Sequence, residues 1–235
     1  MALLVAVVGL TLLAGLAMPL GAWVASHEHI QTKWLQQELR HGVMAFGGGT
    51  LLSALALVLV PEGIKGFNSL SAVALFCSGG IAFMLLDVAL EKFKTPASQL
   101  AAMLCDFIPE SIILGVALAT GSEHAYFLVG IIALQNLPEG FNAYRELGMS
   151  SNYSAARIIG LFATMALLGP VAGLSGYWFM QDTPVLVNAI MLLASGGILY
   201  SVFQDIAPQA KLENHWGPPL GAVLGFSFGI LAASI

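Results

Sequence analysis

The stretch SQLAAMLCDFIPESIILGVALAT, residues 98–120, and its neighbour AYFLVGIIALQNLPEGFNAY, residues 125–144, decide the fold. Each is long and apolar enough to cross a bilayer, whose hydrocarbon core takes about 20 mainly apolar residues of helix. Each also interrupts its apolar run with a polar residue, a proline and a carboxylate at one shared spacing. The first reads Asp106-Phe-Ile-Pro-Glu110 and the second Gln135-Asn-Leu-Pro-Glu139. Residues four apart share a helix face, so Asp106 lies with Glu110 and Gln135 with Glu139. Two such helices side by side converge four oxygen-bearing side chains on one point. The prolines add to this, because each removes an amide donor and releases the carbonyl four residues earlier, Cys105 and Leu134, inside the span.

Outward from these segments the chain stays apolar. Of its 235 residues 58% are hydrophobic and 9% charged, with a mean hydropathy of +0.86, whereas a soluble domain carries roughly 25% charged residues. The chain therefore reads as an all-α integral membrane protein. Eight segments pass the length test, at roughly 3–24, 43–61, 69–90, 98–120, 125–144, 155–178, 184–207 and 217–235. Short loops join them, which leaves room for a single eight-helix bundle over 1–235 and for no soluble domain. The apolar run from Met1 to Leu20 has no positive residue before it, unlike a secretory signal, and is taken as the first span. The longest loop, His27 to His41, is polar and is expected to include a short amphipathic helix carrying Trp34, Leu35 and Leu39.

Charge placement sets the expected orientation. Loops 1–2, 3–4, 5–6 and 7–8 hold Lys33, Arg40, Lys92, Lys94, Arg145, Arg157 and Lys211, while the opposite set holds only Lys65. Seven against one puts the first set in the cytoplasm and both termini outside, across a cell (inner) membrane. The net charge of -5 comes with no basic stripe, so nucleic acid is excluded as a partner. Cys77 and Cys105 both sit in apolar segments without metal-type spacing, which indicates neither a disulfide framework nor a zinc ribbon.

Two kinds of internal repetition stand out. Ser78-Gly-Gly-Ile81 in the third span recurs as Ser195-Gly-Gly-Ile198 in the seventh, either as a true repeat or as small residues placed for close helix packing. The repeated proline-interrupted spans in mid-chain match the way transporters build a substrate site from inverted repeats.

An ionised carboxylate near the bilayer centre costs about 2.5–3.5 kcal/mol, so Asp106, Glu110 and Glu139 need compensation. A divalent cation supplies it. The alternatives are pairing with Lys or Arg, or protonated carboxyls that share hydrogen bonds. No Lys or Arg lies at their level in either segment, Arg145 being six residues past Glu139 at the helix end, and this favours the cation. An oxygen-only donor set suits Mn²⁺ or Mg²⁺, with Fe²⁺ and Zn²⁺ within range. Cys105, about 100° around the helix from Asp106, is either a soft extra ligand or a small buried hydrophobe.

Pro-Glu pairs in spans 4 and 5, eight spans, outward termini and glycine-rich spans 2 and 7 together resemble the ZIP (Zrt/Irt-like) family of divalent metal transporters. The resemblance covers essentially the whole chain. Its most specific part is the family's span 4 pattern His-Asn-x-Pro-Glu-Gly, followed in span 5 by polar-polar-x-Pro-Glu-Gly. Span 5 here, Gln135-Asn136-Leu137-Pro138-Glu139-Gly140, keeps that pattern, while span 4, Asp106-Phe107-Ile108-Pro109-Glu110-Ser111, departs at three positions. The resemblance implies a binuclear metal centre whose first set of ligands falls on Asp106, Glu110, Gln135 and Glu139. The second set falls on Phe107, on Asn136 and, in Leu168-Gly169-Pro170, on Gly169, so Asn136 alone of those three is able to ligate. One metal site is thus implied, with Asp where the family has His. Also implied are a substrate among Zn²⁺, Fe²⁺, Mn²⁺ and Cd²⁺, no organic cofactor, and a homodimer in the lipid bilayer.

Other polar residues carry two readings each. Span 7 ends Gln204-Asp205-Ile-Ala-Pro208-Gln209, similar to the family's His-Glu-x-x-Pro-Glu ending. Gln204, Asp205, Cys105 and Glu62 (after Pro61) are the candidates for lining a pathway. Asp205 and Glu62 read equally well as caps at the headgroup level, and Asp87 as an interfacial residue. His27 and His29, with His41 across the loop, either relay released metal in the cytoplasm or are simply solvated. The long His-rich loop between spans 3 and 4 of many relatives is absent, with only Lys92 to Ser98 in its place.

The expected function is transport of a divalent cation into the cytoplasm, with spans 2, 4, 5 and 7 as the core. No ATP-binding motif occurs, so the metal gradient, membrane potential or protons must drive it, and carboxylate ligands make binding weaken at low pH. A non-transporting metal sensor or scaffold is the alternative, resting on Phe107 and Gly169. Intramembrane enzymes are excluded: no span holds His-Glu-x-x-His, a set of His boxes, a Ser-His pair or an Asp in Gly-x-Gly-Asp context.

Overall fold

A computed structural model describes residues 2–28, 33–92, 96–121, 125–179, 183–212 and 215–233. Among the described residues the structure is helical and contains no strand, as expected where apolar surroundings leave a helix to satisfy its own backbone. The helices are α1 (Ala2–His27), α2 (Lys33–Ala54), α3 (Val60–Gly63), α4 (Ser69–Glu91), α5 (Pro96–Ala119) and α6 (Ala125–Ser150). They continue with α7 (Ala155–Ala166), α8 (Leu168–Phe179), α9 (Pro184–Ser201), α10 (Ala207–Ala210) and α11 (Gly217–Ala233). Among the described residues five helical runs are long and apolar enough to cross a membrane: Ala2–His27, Glu38–Gly66, Ser69–Ala89, Ala155–Trp178 and Pro184–Ala210. The three other segments expected from the sequence fall on α5 and α6, which carry the two Pro-Glu motifs, and on the shorter apolar helix Gly217–Leu231.

Local chemistry accounts for the breaks. Proline has no amide to continue the α-ladder, and the helices ahead of Pro61 and Pro208 loosen into π-helical turns, Leu55–Leu59 and Val202–Ile206. There the Val60 N–H bonds to the Leu55 carbonyl, and the Ala207 N–H to the Val202 carbonyl, five residues back. Pro170 acts similarly. It cannot bond the Ala166 carbonyl, and Leu167 closes α7 with a tighter bond to the Thr164 carbonyl (3.2 Å), dividing the sixth segment into α7 and α8. Gly121 ends α5 in the left-handed conformation, at φ +67°. Ser154 caps α7, its Oγ accepting from the Arg157 N–H. The helix expected over Trp34, Leu35 and Leu39 in the first loop is present as the opening turns of α2. It starts at Lys33 and runs unbroken into the span, because Lys, Leu, Gln, Glu and Arg all favour helix. Residues His29 to Thr32 lie outside the described set.

Helices pair along their lengths: α1 with α6, α5 with α8, α2 with α11 and α4 with α9. Small residues make these approaches close, as packing inside a bilayer requires. A methyl added at Gly21 would collide with the Leu137 carbonyl, and one at Gly140 with the Met18 carbonyl, so α1 and α6 touch backbone to backbone. The two Ser-Gly-Gly-Ile copies pack on each other, Gly79 against the Leu193 carbonyl and Gly196 against the Phe76 carbonyl. Cross-contacts of α6 with α5 and α2, and of α5 with α9, bring the pairs together. The core gathers Met18, Phe107, Ile113, Leu114, Leu147 and Phe162, while Leu70 of α4 and Leu220 of α11 point outward.

Candidate cation site between two helices

Both Pro-Glu motifs lie inside unbroken helices, Pro109 in α5 and Pro138 in α6. The four-residue spacing turns Asp106 and Glu110 to one face of α5, and Gln135 and Glu139 to one face of α6. These faces meet. The Gln135 Nε2–H donates to Glu110 Oε1 across the interface, and both side chains are buried, 3% and 4% exposed. Asp106 and Glu139 are half-buried beside them. The charge of Glu139 lies within Coulombic reach of both Asp106 and Glu110.

The set contains more acceptors than donors. With the Gln135 amide N–H spent on Glu110, three buried oxygens have no hydrogen-bond partner: Asp106 Oδ1, Glu110 Oε2 and Gln135 Oε1. Each such orphan costs about 1–3 kcal/mol. Ion pairs among the described residues include Glu62 with Lys65, Glu28 with Arg145 and Glu38 with His215, and these three do not reach the cluster. What complements it chemically is a cation or protons. Among the described residues no three His, Cys, Asp or Glu side chains are grouped closely enough to hold a metal ion by themselves.

The residues one step around each helix do different work. Asn136, 1% exposed, donates its Nδ2–H to the Ala14 carbonyl of α1 at 3.0 Å. Phe107, also 1% exposed, drives its ring between α1 and α8. A methyl at either Gly15 or Gly169 would sit 2.7 Å from Phe107 Cζ. The position where Gly169 would need to present a ligand is thus filled by an aromatic ring.

The remaining candidates are dispersed. Cys105 is a half-buried free thiol. Gln204 and Asp205 are exposed on the second π-helical turn, with Asp205 in Coulombic reach of Asp106. Glu62 pairs with Lys65 at 2.5 Å. His27 is exposed at the end of α1, its ring 4.8 Å from that of Trp23 and its Nδ1 2.9 Å from Ser26 Oγ. His29 lies outside the described residues. Asp87, expected at the interface, accepts a hydrogen bond from the Tyr200 hydroxyl at 3.1 Å.

Sequence reasoning missed two features. Asn142 and Glu146 follow Gln135 and Glu139 on the same face of α6, and Asn142 Oδ1 is buried without a partner. The helical period starting at Gln135 was the signal. The Glu28–Arg145 pair, with the Glu28 side chain 8% exposed, joins residues too far apart in sequence for any local pattern to announce it. No protein-family model matches this chain, and no curated protein matches it.

Proposed function

We propose that this chain is a transporter that carries one divalent cation across the membrane through the α5–α6 interface. The observation that carries the reading is the trio of buried, unpartnered acceptor oxygens on Asp106, Glu110 and Gln135, with the Glu139 carboxylate beside them. Placing these groups in a bilayer is unfavourable unless a cation or protons meet them, and intramembrane ionisable groups mark ion pathways. Carboxylate and amide oxygens replace the water that the ion sheds, and they suit Mn²⁺ and Fe²⁺, with Zn²⁺ and Cd²⁺ in the same class. Phe107 and Asn136 hold α1 in place and leave a single ion position.

The motif resemblance to ZIP transporters agrees with this reading, and so does the helix pairing. Exchanging α2 with α9 and α11 with α4 maps one pair onto the other, as an inverted repeat requires. In this reading α5, α6 and α11 also span, giving eight spans with the Arg145 end of α6 in the cytoplasm. Access alternates as the group α1, α5, α6 and α8 shifts against the α2–α11 and α4–α9 pairs.

The test is uptake of Mn²⁺, Fe²⁺, Zn²⁺ and Cd²⁺ into liposomes holding the purified protein, wild type beside Glu139→Ala. Flux that depends on Glu139 is the expected result and ranks the ions. Metal binding without flux would replace the transporter by a sensor or scaffold.

A further inference from the structure

The oxygen-bearing face of α6 does not stop at Glu139. Gln135, Glu139, Asn142 and Glu146 fall at steps of four, three and four within one continuous helix, Ala125–Ser150. At 100° per residue they keep to a stripe about 60° wide. The stripe is headed by Gln135, 3% exposed, whose Oε1 has no partner. About 10 Å further along the helix axis, Asn142 Oδ1 is again buried and unpartnered. An amide oxygen left orphaned below a set of orphaned carboxylate oxygens points to the same ligand.

A carboxylate from another element stands within reach of this face. Asp205, on the π-helical turn Val202–Ile206, lies within Coulombic reach of Asp106 above and of Glu146 and Asp87 beside it. It therefore lies electrostatically between the Asp106 carboxylate of α5 and the Glu146 end of the stripe. Arg145 is the obvious obstacle, as a cation next to Glu146 in sequence. It is turned away, because its guanidinium bonds the buried Glu28 carboxylate and sits 5.9 Å from the centroid of the Phe141 ring. The cation most able to block the stripe is held on the α1 side of the helix.

We propose that Asn142 and Glu146 form a second, transient station for the transported cation, through which it passes from Glu139 to the cytoplasmic side, with Asp205 within Coulombic reach. This rests on the transporter reading above. Asn142 supplies a neutral oxygen, which binds more weakly than the carboxylates it follows and so lets the ion leave. Glu146, exposed at the helix end, draws the ion on into water.

Mn²⁺ is the probe, with equilibrium binding in detergent and initial uptake in proteoliposomes measured on the same preparations. Asn142→Leu keeps the shape and removes the oxygen. It is expected to bind Mn²⁺ with an unchanged Kd while its maximal uptake falls at least about fivefold, the signature of a step after binding. Asn142→Asp is expected to restore uptake in part. Glu146→Gln, at an exposed position that folding tolerates, is expected to lower maximal uptake about twofold to threefold with binding intact. Wild-type uptake in both Asn142→Leu and Glu146→Gln overturns the station and leaves the transporter reading standing. Loss of binding in Asn142→Leu, unrescued by Asp, also overturns it by making Asn142 structural. If the wild type neither binds nor carries Mn²⁺, Fe²⁺, Zn²⁺ or Cd²⁺, both readings fall together.

Discussion

Phe107 and Asn136 occupy the same place in the two Pro-Glu motifs, two residues before the proline, and both reach for the same turn of α1. Phe107 does so by shape, its ring against Gly15. Asn136 does so by a hydrogen bond to the carbonyl of Ala14, the next residue. One position earlier in each motif, Asp106 and Gln135 keep oxygens that nothing satisfies. A step of about 100° around the helix therefore separates a face that is fully satisfied from one that is left wanting. Contacts made on folding account for the first; the second is the face that the proposed cation would complete. This division predicts that substitutions on the two faces fail in different ways.

The sharpest way to break the comparison is at the carboxylates. Glu110→Ala and Glu139→Ala are each expected to abolish metal uptake, and they differ in stability: Glu139→Ala melts near the wild type, whereas Glu110→Ala also gives up the bond donated by Gln135 and melts lower by an amount corresponding to about 1 kcal/mol. Uptake near the wild-type rate in both variants would sink the site. On the packing face the order reverses. Phe107→Ala opens a cavity between α1, α5 and α8 and is expected to lower stability by about 3 kcal/mol, read as earlier thermal unfolding in detergent. Uptake there falls only in proportion to folded protein. Asn136→Ala loses one interhelical hydrogen bond, worth about 1 kcal/mol in a membrane setting, and its melting shift should be correspondingly smaller. A larger shift for Asn136→Ala than for Phe107→Ala would overturn the assignment of these roles.

The same division shows what the sequence made legible. That the described residues fold as helix, without strands, follows from apolar runs of spanning length. Facing of the two motifs followed from their shared four-residue spacing, which the Gln135–Glu110 bond reproduces. What eluded the sequence was everything set by contact between distant segments. Nothing local says that the Phe107 ring ends between Gly15 and Gly169, or that Arg145 is captured by Glu28. The two Ser-Gly-Gly-Ile copies were visible as a repeat, but their mutual packing depends on how α4 and α9 are brought together. The π-helical turns before Pro61 and Pro208 were hidden for a different reason: proline announces a missing bond without saying whether the helix kinks, breaks or widens to absorb it.

Asp106→His moves the comparison from loss to choice. The substitution exchanges an oxygen donor for an imidazole nitrogen, and nitrogen donors favour Zn²⁺ over Mn²⁺ in the first-row order. Competition uptake with both ions present should therefore shift toward Zn²⁺, with total flux retained. An unchanged ratio would place Asp106 outside the coordinating set and leave Glu110, Gln135 and Glu139 to act alone.

The smallest effect is expected at Cys105. Its thiol is adjacent in sequence to Asp106 but about 100° around the helix from it, half-buried, and unbonded to the other cysteine. If it is a packing residue, Cys105→Ala removes one polarizable atom and leaves uptake of every ion within about twofold of wild type. Soft ions make the test discriminating, because a thiolate ligand would raise affinity for Cd²⁺ and Zn²⁺ far more than for Mn²⁺. Uptake of Cd²⁺ and Mn²⁺ by Cys105→Ala is thus measured side by side. Equal retention of both keeps the site oxygen-only, whereas a selective loss of Cd²⁺ would add sulfur to it and redraw the boundary between the two faces of α5.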